Sequence, residues 1–107
     1  MRRVVVESPY AGDVERNVRY ARAAMLDCLN RGEAPHLSHL LYTQVLDDTM
    51  SGDRAVGIRA GLAWGEVADA VVAYTDLGIS PGMRAAIDYH AARGRLVLYR
   101  SLPAGTW

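Results

Sequence analysis

The sequence predicts an α/β fold, a three-layer sandwich in which helices cover both faces of a small parallel sheet. The segments Val4–Val6 and Ala70–Tyr74 are continuously apolar and rich in valine, which is typical of parallel strands buried on both faces. Segments with a helical period alternate with strands along the chain, as βα units require. We expect residues 1–107 to form one domain.

The first half of the chain supplies two strands and one helix. After the first strand, apolar residues recur at helical steps over Val14–Leu29, with Asp13 as the expected N-cap and Gly32 as the stop. A weaker strand follows at Ala34–Leu37, and its proline predicts an edge position. Residues 38–52 should form a longer loop with a short turn.

The second half repeats the alternation. A middle helix is expected over Asp53–Val67, before the second apolar strand. The last helix is capped by Ser80, has Pro81 in its first turn and ends at Gly94. A final strand, Leu96–Tyr99, closes the pattern.

The strand order follows if the two apolar strands are central. Right-handed crossovers then predict the order 2-1-3-4, and the chain reverses direction between strands 1 and 3. Ligands in such sheets bind beyond the carboxyl ends of the strands at that reversal. The loops Glu7–Gly12 and Thr75–Ser80 leave the two strands there, so we expect the site between them.

Composition excludes several classes of function. Twelve arginines balance twelve acidic residues and there is no lysine, so no basic surface for a nucleic acid polymer is expected. The single Cys28 excludes an internal disulfide framework and should be a small core residue. We expect no signal peptide, no membrane span and a cytoplasmic location.

No metal or other cofactor is expected. His36 and His39 lack further ligands at suitable spacing, and a place in the pocket wall at the end of strand 2 suits them better. Tyr10 either stacks on a ligand or is an ordinary loop aromatic.

Helix starts at the crevice differ in their suitability for an anion, which free backbone N–H groups and the helix dipole attract. The first helix opens with Asp13 and Glu15, which would repel a phosphate but could meet sugar hydroxyls at Asp13. The last opens with Ser80 and Gly82 and carries Arg84 in its first turn. We expect any phosphate there, although capping alone also explains Ser80.

Gly57, Gly61 and Gly65 recur every four residues along one face of the middle helix. Each costs about 1 kcal/mol relative to alanine, so the stripe needs an offsetting close contact. We expect a partner subunit to pack on it; packing on the chain's own sheet is the alternative.

Four segments together resemble the nucleoside 2-deoxyribosyltransferase-like superfamily, in particular its small bacterial and phage members. They are SPYAG after strand 1, Asp13-x-x-Arg16-Asn17, the Ala68–Val72 run and the Ser80–Met83 turn. The resemblance implies a Rossmann-like, flavodoxin-like domain in a homodimer or larger homo-oligomer. It implies binding of nucleosides or their 5′-monophosphates and action on the N-glycosidic bond, as a hydrolase or transferase.

The resemblance also implies roles for particular residues. Ser8 and Tyr10 in the first loop, and Ser80, Gly82 and Met83 in the last, would contact the ligand. Asp69 matches an aspartate that assists protonation of the base, although its place just before strand 3 predicts the opposite end of the sheet.

The glutamate that serves as nucleophile in the superfamily falls on Ala86, which has no group to offer the sugar. Asp88 lies two positions on, about 200° round the helix, and cannot substitute. Glu7 ends strand 1 at the crevice and could act as nucleophile or general base; a solvated or arginine-paired acid is the alternative.

Three hypotheses follow. The first is a nucleotide-binding homo-oligomer that acts on N-glycosidic bonds, with Glu7 in the chemistry. The second is a catalytically inactive nucleotide sensor or binding module that lost the nucleophile at Ala86. The third is an interaction protein that uses the glycine-striped helix.

Overall fold

The computed structural model describes residues 1–107 and contains one four-stranded, all-parallel sheet in the order β2-β1-β3-β4, which confirms the predicted fold class. The strands are β1 (Arg2–Glu7), β2 (Glu33–His36), β3 (Ala70–Tyr74) and β4 (Val97–Arg100), and the helices are α1 (Val14–Asn30), α2 (Ser38–Leu41), α3 (Ser51–Trp64) and α4 (Pro81–Ala92). No helix has the length and apolar character needed to cross a bilayer.

Apolar side chains on the two faces of the sheet form separate cores. Val4, Val6 and Val72 face a core shared with α1, which also takes Leu102 from the C-terminal segment. On the other face Ala73 packs with Met83 and Ile87 of α4. A single long helix, α1, covers this face of the sheet. Trp107 of the C-terminal segment packs edge-on against Tyr20 of α1, with ring centroids 4.7 Å apart.

Helix boundaries follow the capping residues closely. Asp13 Oδ1 accepts a hydrogen bond from the Arg16 amide (3.2 Å), and Ser80 Oγ accepts one from the Met83 amide (3.2 Å). Gly32 and Gly94 follow the ends of α1 and α4 with φ of +77° and +72°, the left-handed conformation that glycine adopts without strain. These predicted starts and stops are confirmed.

The middle of the chain departs from the prediction. The helix expected over 53–67 is α3, Ser51–Trp64; it starts earlier because the Met50 carbonyl accepts from the Arg54 amide, without a side-chain cap. Residues 38–52, expected as a longer loop with a short turn, contain the one-turn helix α2 and a 3₁₀ turn at Tyr42–Gln44.

The glycine stripe of α3 faces the chain's own residues. A Cβ at Gly61 would lie 2.7 Å from Ser38 Oγ of α2, and one at Gly65 would lie 2.5 Å from Cε1 of the buried His90 of α4. At Gly61 and Gly65 the space beside α3 is therefore filled by the chain itself and not by the expected partner subunit. The close contacts at these two glycines are made with α2 and α4, whereas Gly57 has only ordinary contacts with Leu46 and Tyr42 at 3.5 and 4.0 Å.

A buried polar network occupies the α1 layer. Arg100 at the end of β4 donates two hydrogen bonds to Glu33 at the start of β2, at 2.7 and 2.6 Å. The Tyr74 hydroxyl donates to Asp27 (2.7 Å) and lies 3.4 Å from the Cys28 thiol. Hydrogen bonds from Arg100 hold the pKa of the Glu33 carboxyl below its usual range.

Replacing one partner of this pair should be costly. Glu33→Gln leaves the Arg100 guanidinium buried without its counter-charge, and we expect a loss of about 3–5 kcal/mol in the free energy of unfolding, measured by urea denaturation at pH 7. Asp88→Asn is the matched control, because its ion pair with Arg84 is exposed and should contribute less than about 1 kcal/mol.

The same pair gives a pH dependence with a defined sign. Since the folded pKa of Glu33 is lowered, its contribution is present above the unfolded pKa of about 4.3 and is lost as the pH falls through the folded pKa. The difference in the free energy of unfolding between wild type and Glu33→Gln should therefore become smaller at low pH. A gap of equal size at pH 3 and pH 7 would contradict the assignment.

Candidate functional site

A cavity of 580 Å³ lies at the carboxyl edge of the sheet, where the chain reverses between β1 and β3. The loop after β1, α2, the N-terminal turns of α4 and the glycine face of α3 enclose it. The predicted site residues in its wall are Glu7, Ser8, Tyr10, His39, Ser80, Gly82 and Met83, together with Ala86, where the resemblance leads one to expect a nucleophile.

Glu7 lies at the end of β1, where it is half-buried in the cavity wall. Its carboxyl makes no ion pair, so the alternative of an arginine-paired acid does not apply. Burial disfavours the ionised form and raises the pKa of Glu7 to about 7. A carboxyl with this pKa exists in both protonation states near neutrality, as a general acid or base requires.

Ser8 and His39 form a hydrogen-bonded pair beside Glu7. The Ser8 hydroxyl and His39 Nε2 are 2.6 Å apart. Burial, with a smaller effect from His36, lowers the pKa of His39 to about 4. His39 is therefore a neutral imidazole at pH 7 and can offer the cavity a hydrogen bond but no charge.

The start of α4 forms the polar end of the cavity. Ser80, Gly82 and Met83 line it, and the positive end of the α4 dipole is directed there. The cation beside them is Arg54 of α3, whose Nη2 lies 3.6 Å from the position that a Cβ on Gly82 would occupy. Arg54 Nη1 is held by Asp48 at 2.7 Å.

Arg84 was expected in this role, and the structure corrects that expectation. Its side chain lies outside the cavity and pairs with Asp88 at 3.6 Å, four residues on along an exposed face of α4. No local pattern marks Arg54, because it lies thirty residues before Arg84 in the chain and reaches Gly82 only once α3 has packed beside α4.

Two predicted aspartates are not in the cavity. Asp13 is exposed and serves as the N-cap of α1. Asp69 accepts a hydrogen bond from the Arg3 amide at 2.7 Å and so lies at the amino edge of the sheet, four residues or about 13 Å from the level of Glu7. Asp69 therefore lies at the opposite end of the sheet, as its place before strand 3 predicts, and it does not line this cavity.

The far wall was missed by sequence reasoning. It comes from the segment between β2 and β3 and from α4, and its side chains include Tyr42, Asp48, Asp53, Ile58 and Tyr89. The signal that could have located it is the glycine stripe, since Gly57 and Gly61 line the same cavity. Nowhere do three or more His, Cys, Asp or Glu side chains gather as a metal site would require.

Comparison with known proteins agrees with this architecture. A family model described as Domain of unknown function (DUF7768) matches residues 2–100. The chain belongs to this family. No curated protein matches it.

The DUF7768 fold is shared with a solved structure, that of 2-desoxiribosyltransferase from Leishmania mexicana. The TM-score is 0.64 at 15% sequence identity, over 94% of this chain and 65% of that chain. The DUF7768 chain thus spans about two thirds of the length of that protein. At this identity the likeness shows the fold alone, which is the Rossmann-like one expected.

Glu7 should make the stability of the protein fall between pH 4.5 and 7. Over that pH range the Glu7 carboxyl ionises in the unfolded state and stays largely protonated in the folded state, because its folded pKa is raised to about 7. Glu7→Gln removes this effect, so relative to wild type it should gain up to about 3 kcal/mol in the free energy of unfolding between pH 5 and pH 8.

Urea denaturation at the two pH values measures the change, and Glu15→Gln, at an exposed position in the first turn of α1, is the control. Parallel behaviour of Glu7→Gln and wild type would mean that Glu7 titrates at an ordinary pKa.

Proposed function

We propose that this chain binds nucleosides or their 5′-monophosphates and acts on the N-glycosidic bond. The observation that carries the proposal is Glu7, an unpaired carboxyl whose pKa lies near 7 in the wall of a cavity. The anion-attracting start of α4 opens into the same cavity, with Arg54 beside it. The fold shared with a desoxiribosyltransferase supports the substrate class.

Glu7 suits hydrolysis with water as the nucleophile. The carboxylate takes a proton from water as the water oxygen bonds to C1′ of the sugar. The bond from C1′ to the base nitrogen breaks with its electron pair going to the base, and the base accepts the proton that Glu7 had taken. Glu7 returns to its carboxylate form, and the neutral His39 next to it adds no competing charge.

Ala86 fits this scheme because a water mechanism needs no covalent nucleophile on α4. The methyl group leaves room in the cavity wall where a glutamate would otherwise stand. The remaining carboxylates in the wall, Asp48 and Asp53, are engaged with Arg54 and with the Asp47 amide. Glu7 is therefore the acid free to act on a sugar.

The phosphate of a 5′-monophosphate would lie between Ser80, Gly82 and Arg54. There it meets the Gly82 amide and the positive end of the α4 dipole, since Pro81 has no N–H and the Met83 amide is bonded to Ser80 Oγ, and it replaces Asp48 as the partner of the guanidinium.

Free base released from a panel of ribo- and deoxynucleosides and their 5′-monophosphates, measured by chromatography, tests the function. We expect release by wild type and a loss of about a hundredfold or more in Glu7→Gln, with ligand-induced thermal stabilisation retained. Unchanged turnover in that variant would remove Glu7 from the mechanism. Absence of release by wild type, with a ligand still raising Tm, would mean a binding protein.

Arg54→Met and Arg84→Met form a matched pair in the same assay. Arg54→Met should raise KM for monophosphates about tenfold and leave nucleosides unaffected, because only a phosphate meets the guanidinium. Arg84→Met should behave as wild type, since Arg84 lies outside the cavity.

We further propose a homodimer or larger assembly in which the outer face of α3 meets a second copy. Gly61 is the one buried residue of this helix, and Val56 remains 45% exposed on the side away from the glycine stripe. A helix with so little burial needs further packing to be stable.

Light scattering at micromolar concentration should therefore give at least twice the mass of one chain. Val56→Asp should shift the population towards monomer, because it buries a charge in the interface. Leu26→Asp, at a similarly exposed apolar position on α1, should not. Gly61→Leu does not test this interface, because its side chain would collide with Ser38 of the same chain. A monomeric wild type would end the idea.

A further inference from the structure

Tyr89 of α4 lines the cavity and is held rigidly on one side. The Cζ atom of Arg93 lies 3.5 Å from the centroid of the tyrosine ring, and Arg93 Nη1 donates to the Tyr89 carbonyl at 3.3 Å. Arg95 is near the same ring, with its Cζ 5.6 Å from the centroid. His90 meets the ring edge-on at 5.8 Å. The ring is thus fixed by a stacked guanidinium and a buried imidazole.

The ring face opposite Arg93 is the one available to the cavity, since Tyr89 lines it and Arg93 covers the first face. Arg93 is four residues C-terminal to Tyr89, so it covers the face turned towards the helix C-terminus. Helical side chains lean towards the N-terminus, over the residues three and four positions earlier. Those residues are Ala85 and Ala86, both in the cavity wall, and they offer only methyl groups. One aromatic face is therefore left open to a ligand.

We propose that Tyr89 is the stacking platform for the base of the nucleotide, and that Arg93 is a positioning residue that acts through the Tyr89 ring. This inference rests on the proposed function. A guanidinium on one face fixes the ring and draws its electron density away from the other. An electron-rich planar base stacks well on a face polarised in this way. Gly57 and Gly61 in the α3 wall of the cavity contribute no side chains of their own to it.

The spacing along α4 fits one nucleotide. Gly82 and Tyr89 are seven residues apart, about 10 Å along the helix axis, and the tyrosine ring leans back by about a turn. A phosphate at Gly82 and a base on the open face of Tyr89 can therefore belong to the same ligand. The sugar would then pass over Ala85 and Ala86, which also line the cavity.

Equilibrium dialysis with the four deoxynucleoside 5′-monophosphates tests the platform, and ribose 5-phosphate serves as a base-free probe. Tyr89→Leu should weaken binding of the best monophosphate about tenfold or more, and Tyr89→Phe should bind as wild type. Neither should change the affinity for ribose 5-phosphate, which a variant with a damaged fold would lose. Arg54→Met should weaken both ligands.

Arg93→Met keeps an apolar cover on the ring and removes the charge. In base release it should raise KM severalfold and leave kcat unchanged, whereas a merely structural loss would lower Tm and affect ribose 5-phosphate equally.

Tyr10→Leu and Tyr42→Leu test the other two tyrosines of the cavity wall. A full loss of base-dependent affinity in either of these variants, with Tyr89→Leu unaffected, would overturn the inference and leave the proposed function standing. If wild type binds none of the monophosphates, the proposed function fails, and the stacking platform with it.

Discussion

The buried ion pair between Arg100 and Glu33 is the interaction on which the scaffold depends. Glu33 begins one edge strand and Arg100 ends the other, so the pair ties together the two strands that have a neighbour on only one side. Tyr74 and Asp27 connect the central strand and α1 to the same network. A sheet of four strands buries little apolar surface at its edge strands. A buried polar network in which every group is hydrogen-bonded helps to fix the positions of these strands.

On the opposite face of the sheet, α3 is held by close backbone contacts at its glycines rather than by a buried ion pair. At Gly65 the α3 backbone lies against the buried ring of His90, and at Gly61 it lies against Ser38. Nearer the start of α3, the long side chain of Arg54 reaches across to Gly82 of α4. The cavity lies between the close contacts at Gly61 and Gly65 and the Arg54 side chain near the start of α3. The glycines thus set its width, and Glu7 and the start of α4 provide its polar groups.

The sequence predicted the frame of the molecule well and the far wall of the cavity poorly. Apolar runs, caps and left-handed glycines are local signals, so the parallel sheet, its order and the limits of α1 and α4 followed from them. Arg54 meets Gly82 and Arg100 meets Glu33 only after the chain has folded, and no local pattern marks either contact. Asp69 shows the same limit, because its role depends on which edge of the sheet it occupies, and there strand position outweighed family likeness. The glycine stripe was recognised as a close contact, but sequence cannot say whose atoms fill it.

The single thiol of the chain, Cys28, can report local opening of the α1 layer. Cys28 has no exposed surface and lies against the Tyr74 hydroxyl inside the network that joins α1 to the sheet. A thiol reagent can reach it only when α1 lifts away, so the rate of labelling counts those openings. Labelling of Cys28 therefore measures how often α1 separates from the sheet. Because Cys28 lies on the face opposite the cavity, the label leaves the proposed ligand-binding groups unmodified.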